Sequence, residues 1–195
     1  MMHPTFGPSE TQRLRLRRYR EDDLELMHGL MSDPSVMRHY VAPFSREQSQ
    51  RAFSNALASY DKRGYSLLAV ERKSDGRFIG HVGLLHWDDV DAREDVEVAY
   101  MLLPAYWGYG YATEAARASR DWAFANLDVD RVVSFIAVSN QPSVAVAERN
   151  EMIRLKRLET SRFGQPIYVY GITREAWKRR NPRSGPQTSS ARFQF

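Results

Sequence analysis

One stretch constrains this chain more than any other. Val96 to Leu103 is apolar except for Glu97, and Pro104 closes the run. A glycine-rich turn follows, and residues 112–126 then place Ala115, Ser119, Trp122 and Ala123 on one helical face. Arg131 to Ser139 has an apolar interior on both parities, broken only by Ser134. A buried strand, a helix and a second buried strand make a crossover unit, because a strand covered on both faces loses the usual polar alternation. A chain with such a unit reads as an α/β domain with a sheet layered against helices.

The rest of the chain is rich in hairpins. Leu14 and Leu16 alternate with arginines across 12–18, as in a half-buried strand. Asp22 and Asp23 precede an apolar stripe of Leu24, Met27, Leu30 and Met31, a helix start. Ser45 and Gln48 match a capping box ahead of Phe53, Ala56 and Tyr60, and Gly64 ends that helix. Strands at Tyr65–Lys73 and Arg77–Trp87 flank Asp75-Gly76, a tight-turn pair. After the crossover come a short helix at Ser143–Arg149, strands at Ile153–Thr160 and Ile167–Ile172 joined across Phe163-Gly164-Gln165-Pro166, and a helical segment within Thr173–Arg180. The order is β-α-α-β-β-β-α-β-α-β-β, an α/β (α+β) fold with a mixed sheet flanked by helices. One domain covers residues 11–180. Residues 181–195 are Pro-, Ser- and Gly-rich and read as a disordered tail.

Composition removes several chemistries. The 195 residues contain no cysteine, so disulfides, cysteine-held metals and cysteine nucleophiles are absent from this chain, and no metal is expected. No apolar run reaches the roughly 20 residues that span a bilayer, and no secretory signal opens the chain, so a cytoplasmic location without membrane contact is expected. The net charge is +4, but residues 178–195 hold Lys178, Arg179, Arg180, Arg183 and Arg192 with no acid, which leaves −1 for residues 1–177. The basic character belongs to the tail, and nucleic acid is not the expected partner.

The turn itself, Trp107-Gly108-Tyr109-Gly110-Tyr111-Ala112-Thr113, sits where a strand ends and a helix begins. Glycines let the backbone approach a ligand, and the helix end presents free N–H groups to an anion such as a pyrophosphate. A dinucleotide fingerprint needs a third glycine where Thr113 stands, and a phosphate-binding Walker loop needs Gly-Lys-Ser/Thr, which is missing. An anion cradle and a plain strand–helix turn remain.

The motif resembles motif A of the GNAT acetyltransferases, Gln/Arg-x-x-Gly-x-Gly/Ala, with Gly110 and Ala112 at the small positions and Trp107 in place of Gln/Arg. Trp-Gly-x-Gly-Tyr-Ala-Thr-Glu-Ala is similar to the RimJ/RimL-type branch. So are Arg13-Leu14-Arg15-Leu16-Arg17, Ile79-Gly80-x-x-Gly83-Leu84, Glu97-Val98-Ala99-Tyr100 and Tyr170-Gly171-Ile172-Thr173-Arg174-Glu175-x-Trp177. The resemblance covers residues ~11 to 178 and implies a mostly antiparallel central sheet. It also implies acetyl-CoA as co-substrate and transfer of an acetyl group to a primary amine, on a small molecule or a protein N-terminus. A catalytically silent acyl-CoA-binding module of the same fold is the alternative. Homodimers are common among such proteins.

By the same resemblance, Met101, Leu102 and Leu103 lend backbone to the pantetheine arm. Trp107, Gly108, Tyr109, Gly110, Tyr111, Ala112 and Thr113 hold the pyrophosphate. Strand 131–139 splays from its neighbour to admit the thioester. Asn140-x-x-Ser143 matches the family's Asn-x-x-Ser, with Asn140 on the pantetheine and Ser143 beside the cofactor or the leaving sulfur. Two positions depart from the pattern. Glu151 replaces a glycine in the turn after the short helix, and Ala147 stands where many members carry a tyrosine general acid.

The residues themselves offer catalytic roles. Glu97 is the candidate general base, since an apolar strand raises a carboxyl pKa toward the useful range; histone-acetylating relatives carry a glutamate on the equivalent strand. The competing reading pairs Glu97 with Arg13 or Arg15. Ser143 is a candidate general acid, or else only a helix N-cap. An oxyanion contact from a backbone N–H on strand 96–103 is expected. His81 and His86 either face the cleft or are structural. The acidic segment Asp88, Asp89, Asp91, Glu94 and Asp95 either attracts a cationic amine or is a solvated loop. With no cysteine, acetyl transfer is expected to be direct, in a ternary complex.

Overall fold

A computed structural model describes Phe6 and residues 9–90, 93–159 and 164–180. The elements in chain order are β1 (Ser9–Glu10), β2 (Leu14–Arg18), α1 (Leu24–Met31), α2 (Arg46–Arg63), β3 (Leu67–Arg72), β4 (Phe78–Trp87), β5 (Asp95–Leu102), α3 (Tyr111–Asn126), β6 (Arg131–Ala137), α4 (Gln141–Arg149), β7 (Ile153–Leu158), β8 (Ile167–Thr173) and α5 (Arg174–Arg180). The order matches the sequence reading, with the two-residue β1 and a defined α5 added. One sheet runs β1-β2-β3-β4-β5-β6-β8-β7, and every pair is antiparallel except β5–β6. The tail at 181–195, Asp91 and the Phe163 end of the last hairpin turn lie outside the described residues. Among the described residues no helix is long and apolar enough to cross a membrane.

Local chemistry accounts for the boundaries. Ser45 Oγ accepts the Gln48 N–H at 3.2 Å, and the Gln48 side chain accepts the Ser45 N–H at 2.7 Å, so the capping box forms. Gly64 closes α2 with φ 79°. Leu14 and Leu16 of β2 are fully buried while Arg15 between them is exposed. Gly80 is demanded by crowding: a Cβ there would lie 2.2 Å from Met101 O and 2.7 Å from Leu102 Cα.

The two sides of β5 are unequal. Along β4 it pairs from Gly80↔Leu102 to Trp87↔Asp95 without interruption. Along β6 it pairs only at Val96↔Val132 and Glu97↔Val133, after which the strands part. The closed end is pinned by Arg131, whose Nε and Nη2 grip Asp95 at 2.7 and 2.6 Å. Asp95 is therefore not part of a solvated acidic loop: it is 4% exposed and opens β5 as half of a buried fork.

Glu151 does take up the turn after α4, at φ 64°. A non-glycine residue there costs about 1–2 kcal/mol. Arg120 holds the turn by donating to Asn150 O at 2.6 Å and pairing with Glu151 at 3.4 Å, and Arg180 pairs with the same carboxylate at 3.3 Å.

Candidate active site

Parity along β5 sorts its groups. The N–H of Leu103 goes to Ile79 O at 2.9 Å, so odd residues turn their backbone toward β4. Even residues turn theirs toward β6: Val98 O accepts from Ser134 Oγ at 2.7 Å, and Leu102 O accepts from Trp107 Nε1 at 2.7 Å. Within 101–103, then, Leu102 is the residue whose backbone faces the gap. Side chains sort the other way, above and below the sheet. Met101 pairs across β4 with His81, which meets Tyr19 at 3.2 Å, and Tyr19 packs on Phe53 of α2. Odd side chains thus face α1 and α2. Tyr100 instead sends its hydroxyl to Ser143 O of α4 at 2.9 Å. The gap between β5 and β6 is the passage between the two faces.

Glu97 stands at the narrow end of that passage. Its Oε1 accepts the Phe135 N–H at 3.2 Å and its Oε2 accepts the Trp87 indole N–H at 2.6 Å. Past the fork the ladder is broken, and here a carboxylate oxygen serves the β6 amide that β5 no longer reaches. Neither arginine named as a partner is near: Arg13 pairs with Glu114 at 2.7 Å and Arg15 with Glu10 at 3.3 Å. Glu97 is 7% exposed. Burial pushes its pKa from the ordinary 4.5 to about 7, against the lowering pull of its two donors.

The glycine turn forms the other end of the site. A 3₁₀ turn at Pro104–Tyr106 leads into it, and Gly108 and Gly110 have φ 83° and 79°. The first helical bond of α3 runs from Glu114 N to Gly110 O at 3.1 Å, so the amides of Tyr111, Ala112 and Thr113 have no helical acceptor. A Cβ on Gly108 would meet nothing within 4 Å, which leaves the turn open on its outer side. Arg13 braces the turn from β2: Nη1 donates to Tyr109 O at 2.9 Å, and the guanidinium lies 4.5 Å from the Tyr111 ring centre. Free amides, a helix N-terminus and two left-handed glycines suit a pyrophosphate.

Ser143 is not the cap of α4. Asn140 caps it, its Oδ1 accepting the Ser143 N–H at 3.2 Å, and Ser143 sits in the first turn with its carbonyl held by Tyr100. Ala147 is 1% exposed and packs in the core. A single cleft of about 2060 Å³ joins Trp87, Glu97, Tyr100, the 106–114 turn, Asn140 and Ser143. Both histidines of β4 also reach its wall. His81 is 3% exposed, and burial pushes its pKa down to about 4, so it is neutral. His86 meets Asp88 at 2.8 Å and Glu94 at 3.5 Å. Trp87, Ser134 and Tyr100 were not singled out from sequence. Strand parity would have placed Tyr100 opposite Glu97, but no local signal marks Trp87 or Ser134 as fillers of the gap. No group of three or more potential metal ligands occurs among the described residues.

Comparison with known proteins agrees with this fold. The sequence profile of the acetyltransferase (GNAT) domain matches residues 13–153. The protein YkkB of Bacillus subtilis (strain 168) is 31% identical over 161 residues, 82% of this chain and 92% of its own length. Spermidine N(1)-acetyltransferase of Escherichia coli (strain K12) is 27% identical over 137 residues, 68% of this chain and 69% of its own. The crystal structure of the acetyltransferase from Agrobacterium tumefaciens str. C58 superposes with a TM-score of 0.75 at 27% identity, covering 88% of this chain and 97% of that one. Spermidine N-acetyltransferase from Vibrio cholerae, solved in complex with CoA and spermine, has the same fold, with a TM-score of 0.69 at 20% identity over 86% of this chain and 98% of that one.

Proposed function

This chain belongs to the GNAT acetyltransferase family and is an N-acetyltransferase, and from that premise we propose that it moves an acetyl group from acetyl-CoA directly to a primary amine, with Glu97 as general base. Residues 11–180 form the catalytic domain in this reading. The observation that carries it is Glu97, a buried carboxyl with a pKa near 7 at the mouth of the β5–β6 gap.

The residues present fit the co-substrate. The amides of residues 111–113 and the turn at Gly108 and Gly110, open at Gly108, receive the pyrophosphate. The even-numbered backbone of β5 that turns away from β4, at Tyr100 and Leu102, runs beside the pantetheine arm, with Leu102 O already accepting from Trp107 Nε1, and Asn140 lines the same cleft. Bound there, the co-substrate supplies an acyl carbon activated by a thiol leaving group. Ser143 and Tyr100 lie on the α4 face, where the sulfur departs.

The amine approaches from the α1–α2 face. It must be neutral to attack, and an N-terminal amine is roughly one-tenth neutral at pH 7, while a lysine is neutral in about one molecule in a few thousand. As the new C–N bond forms and the C–S bond breaks, the amine proton passes to the Glu97 carboxylate, directly or through one water. Because Glu97 acts only when ionised, the rate should climb with pH through about 7. Glu97→Gln should lose the inflection near 7, keep only the rise that comes from the amine's own deprotonation, and run about 10²–10⁴ slower. Thiol release from acetyl-CoA reads both, with no thiol background from a chain that lacks cysteine. An unchanged profile removes Glu97 from the chemistry. Binding of acetyl-CoA with no thiol release on any amine returns the protein to the silent-module reading.

A further inference from the structure

The charges facing the cleft point to the kind of amine it accepts. Among the described residues, three carboxylates line it: Glu97, Glu114 and Asp121. Two of these, both on α3, are already engaged. Glu114 is held by Thr11 and Arg13 at 2.5–2.8 Å, and Asp121 by Arg120 at 2.7 Å and the Trp177 indole at 2.8 Å. Only Glu97 is placed to meet an incoming ammonium group. Permanent cations on the α1–α2 side of the wall are more numerous, Arg38, Lys62 and Arg63, while Arg117 and Arg149 belong to α3 and α4 on the co-substrate side. The outer acids do not reverse this balance, since Asp88 and Glu94 sit outside the wall against His86, with Asp88 also 4.0 Å from Arg63.

Around Glu97 the acceptor side carries apolar groups, alongside polar ones such as Gln48, Asn55 and Ser59 on α2. Leu85 pairs across the sheet with Glu97 and shares its face. The Trp87 and Phe135 rings meet edge-on at 6.2 Å beside the carboxylate, and Met101 and Phe44 line the same cleft. An aromatic wall around one carboxylate suits one ammonium on an apolar body. A second or third ammonium on the same molecule would lie against that wall or beside a guanidinium.

We propose that the acceptor is a monoamine with an apolar body, of the arylalkylamine kind, and not a polyamine. This rests on the acetyltransferase reading and departs from the activity in the names of the spermidine acetyltransferases it resembles. The test is equilibrium binding to the full chain with CoA present, comparing 2-phenylethylamine with spermidine. We expect 2-phenylethylamine to bind at least about tenfold more tightly. Asn55→Asp, which adds a carboxylate to the α2 wall of the cleft, should then improve spermidine binding by about two- to fivefold and leave 2-phenylethylamine unchanged. Equal or tighter binding of spermidine to the unaltered protein overturns the proposal, and so does a failure of 2-phenylethylamine to bind. Thiol release is scored separately: tight monoamine binding without turnover counts against the acetyltransferase mechanism and leaves this assignment standing.

Discussion

Strand β5 meets β4 along one edge and β6 along the other, and the two seams are filled by different kinds of atoms. The β4 seam is backbone against backbone, so close that Gly80 has no room for a methyl group. The β6 seam opens after Glu97, and side chains supply what the ladder does not: Glu97 for the Phe135 amide and Ser134 for the Val98 carbonyl. A backbone seam has no titratable parts and tolerates no added volume. A side-chain seam gives up regularity and gains a carboxylate that can hold a proton. In the proposed mechanism the chemistry sits where the sheet fails to close.

The sharpest way to break the comparison is at Gly80. Gly80→Ala places a Cβ 2.2 Å from a carbonyl oxygen, at a φ of 146°. It should cost about 4 kcal/mol or more, seen in chemical denaturation as a collapse of the transition midpoint or loss of folded protein. A Gly80→Ala protein of nearly normal stability would show that the tight seam is not tight.

The next effect is a stability term that depends on pH. Glu97 binds its proton more strongly folded, at about 7, than unfolded, near 4.5. The native state therefore holds more protons between those values, and Glu97's contribution falls as pH rises from 4.5 to 7, by about 3 kcal/mol in all. His81 acts the other way. Its pKa is pushed down to about 4, so its contribution is lost as pH falls from 6.5 toward 4. Subtracting the stability of Glu97→Gln from that of the unaltered protein at each pH isolates the first term. That difference should move in the variant's favour by about 3 kcal/mol between pH 5 and pH 8. A flat difference would mean that Glu97 is not desolvated. The smallest effect belongs to Ser134→Ala, which leaves the buried side of Val98 O without its donor and should cost about 1–2 kcal/mol in the same denaturation experiment.

Much of this architecture was legible in the chain. Capping residues, apolar periods and turn glycines placed α2, α3 and the β3–β4 hairpin to within a few residues, because those signals are local. The glycine turn was legible too, since positive φ has few solutions. The hidden parts depend on who meets whom across the sheet. Asp95 looks like the last member of an acidic loop until Arg131, distant in sequence, grips it. Glu97 looks as ready for an arginine as for catalysis until the register shows Trp87 and Phe135 on either side. At residue 151 the sequence pattern argues against a left-handed turn, yet the chain makes one there and braces it with Arg120 and Arg180.

The double duty that the proposed mechanism gives Glu97 bears on how such a protein can diversify. Part of the cleft wall belongs to α2 and the loops, where a new side chain disturbs less than on the strands, so acceptor preference is free to drift there. The proposed proton acceptor is also a rung of the sheet, through its bond to the Phe135 amide. A mutation that retunes its basicity also loosens the joint between β5 and β6, and a mutation that repairs the joint disarms the chemistry. Innovation in a scaffold built this way runs through the walls and leaves the rung in place.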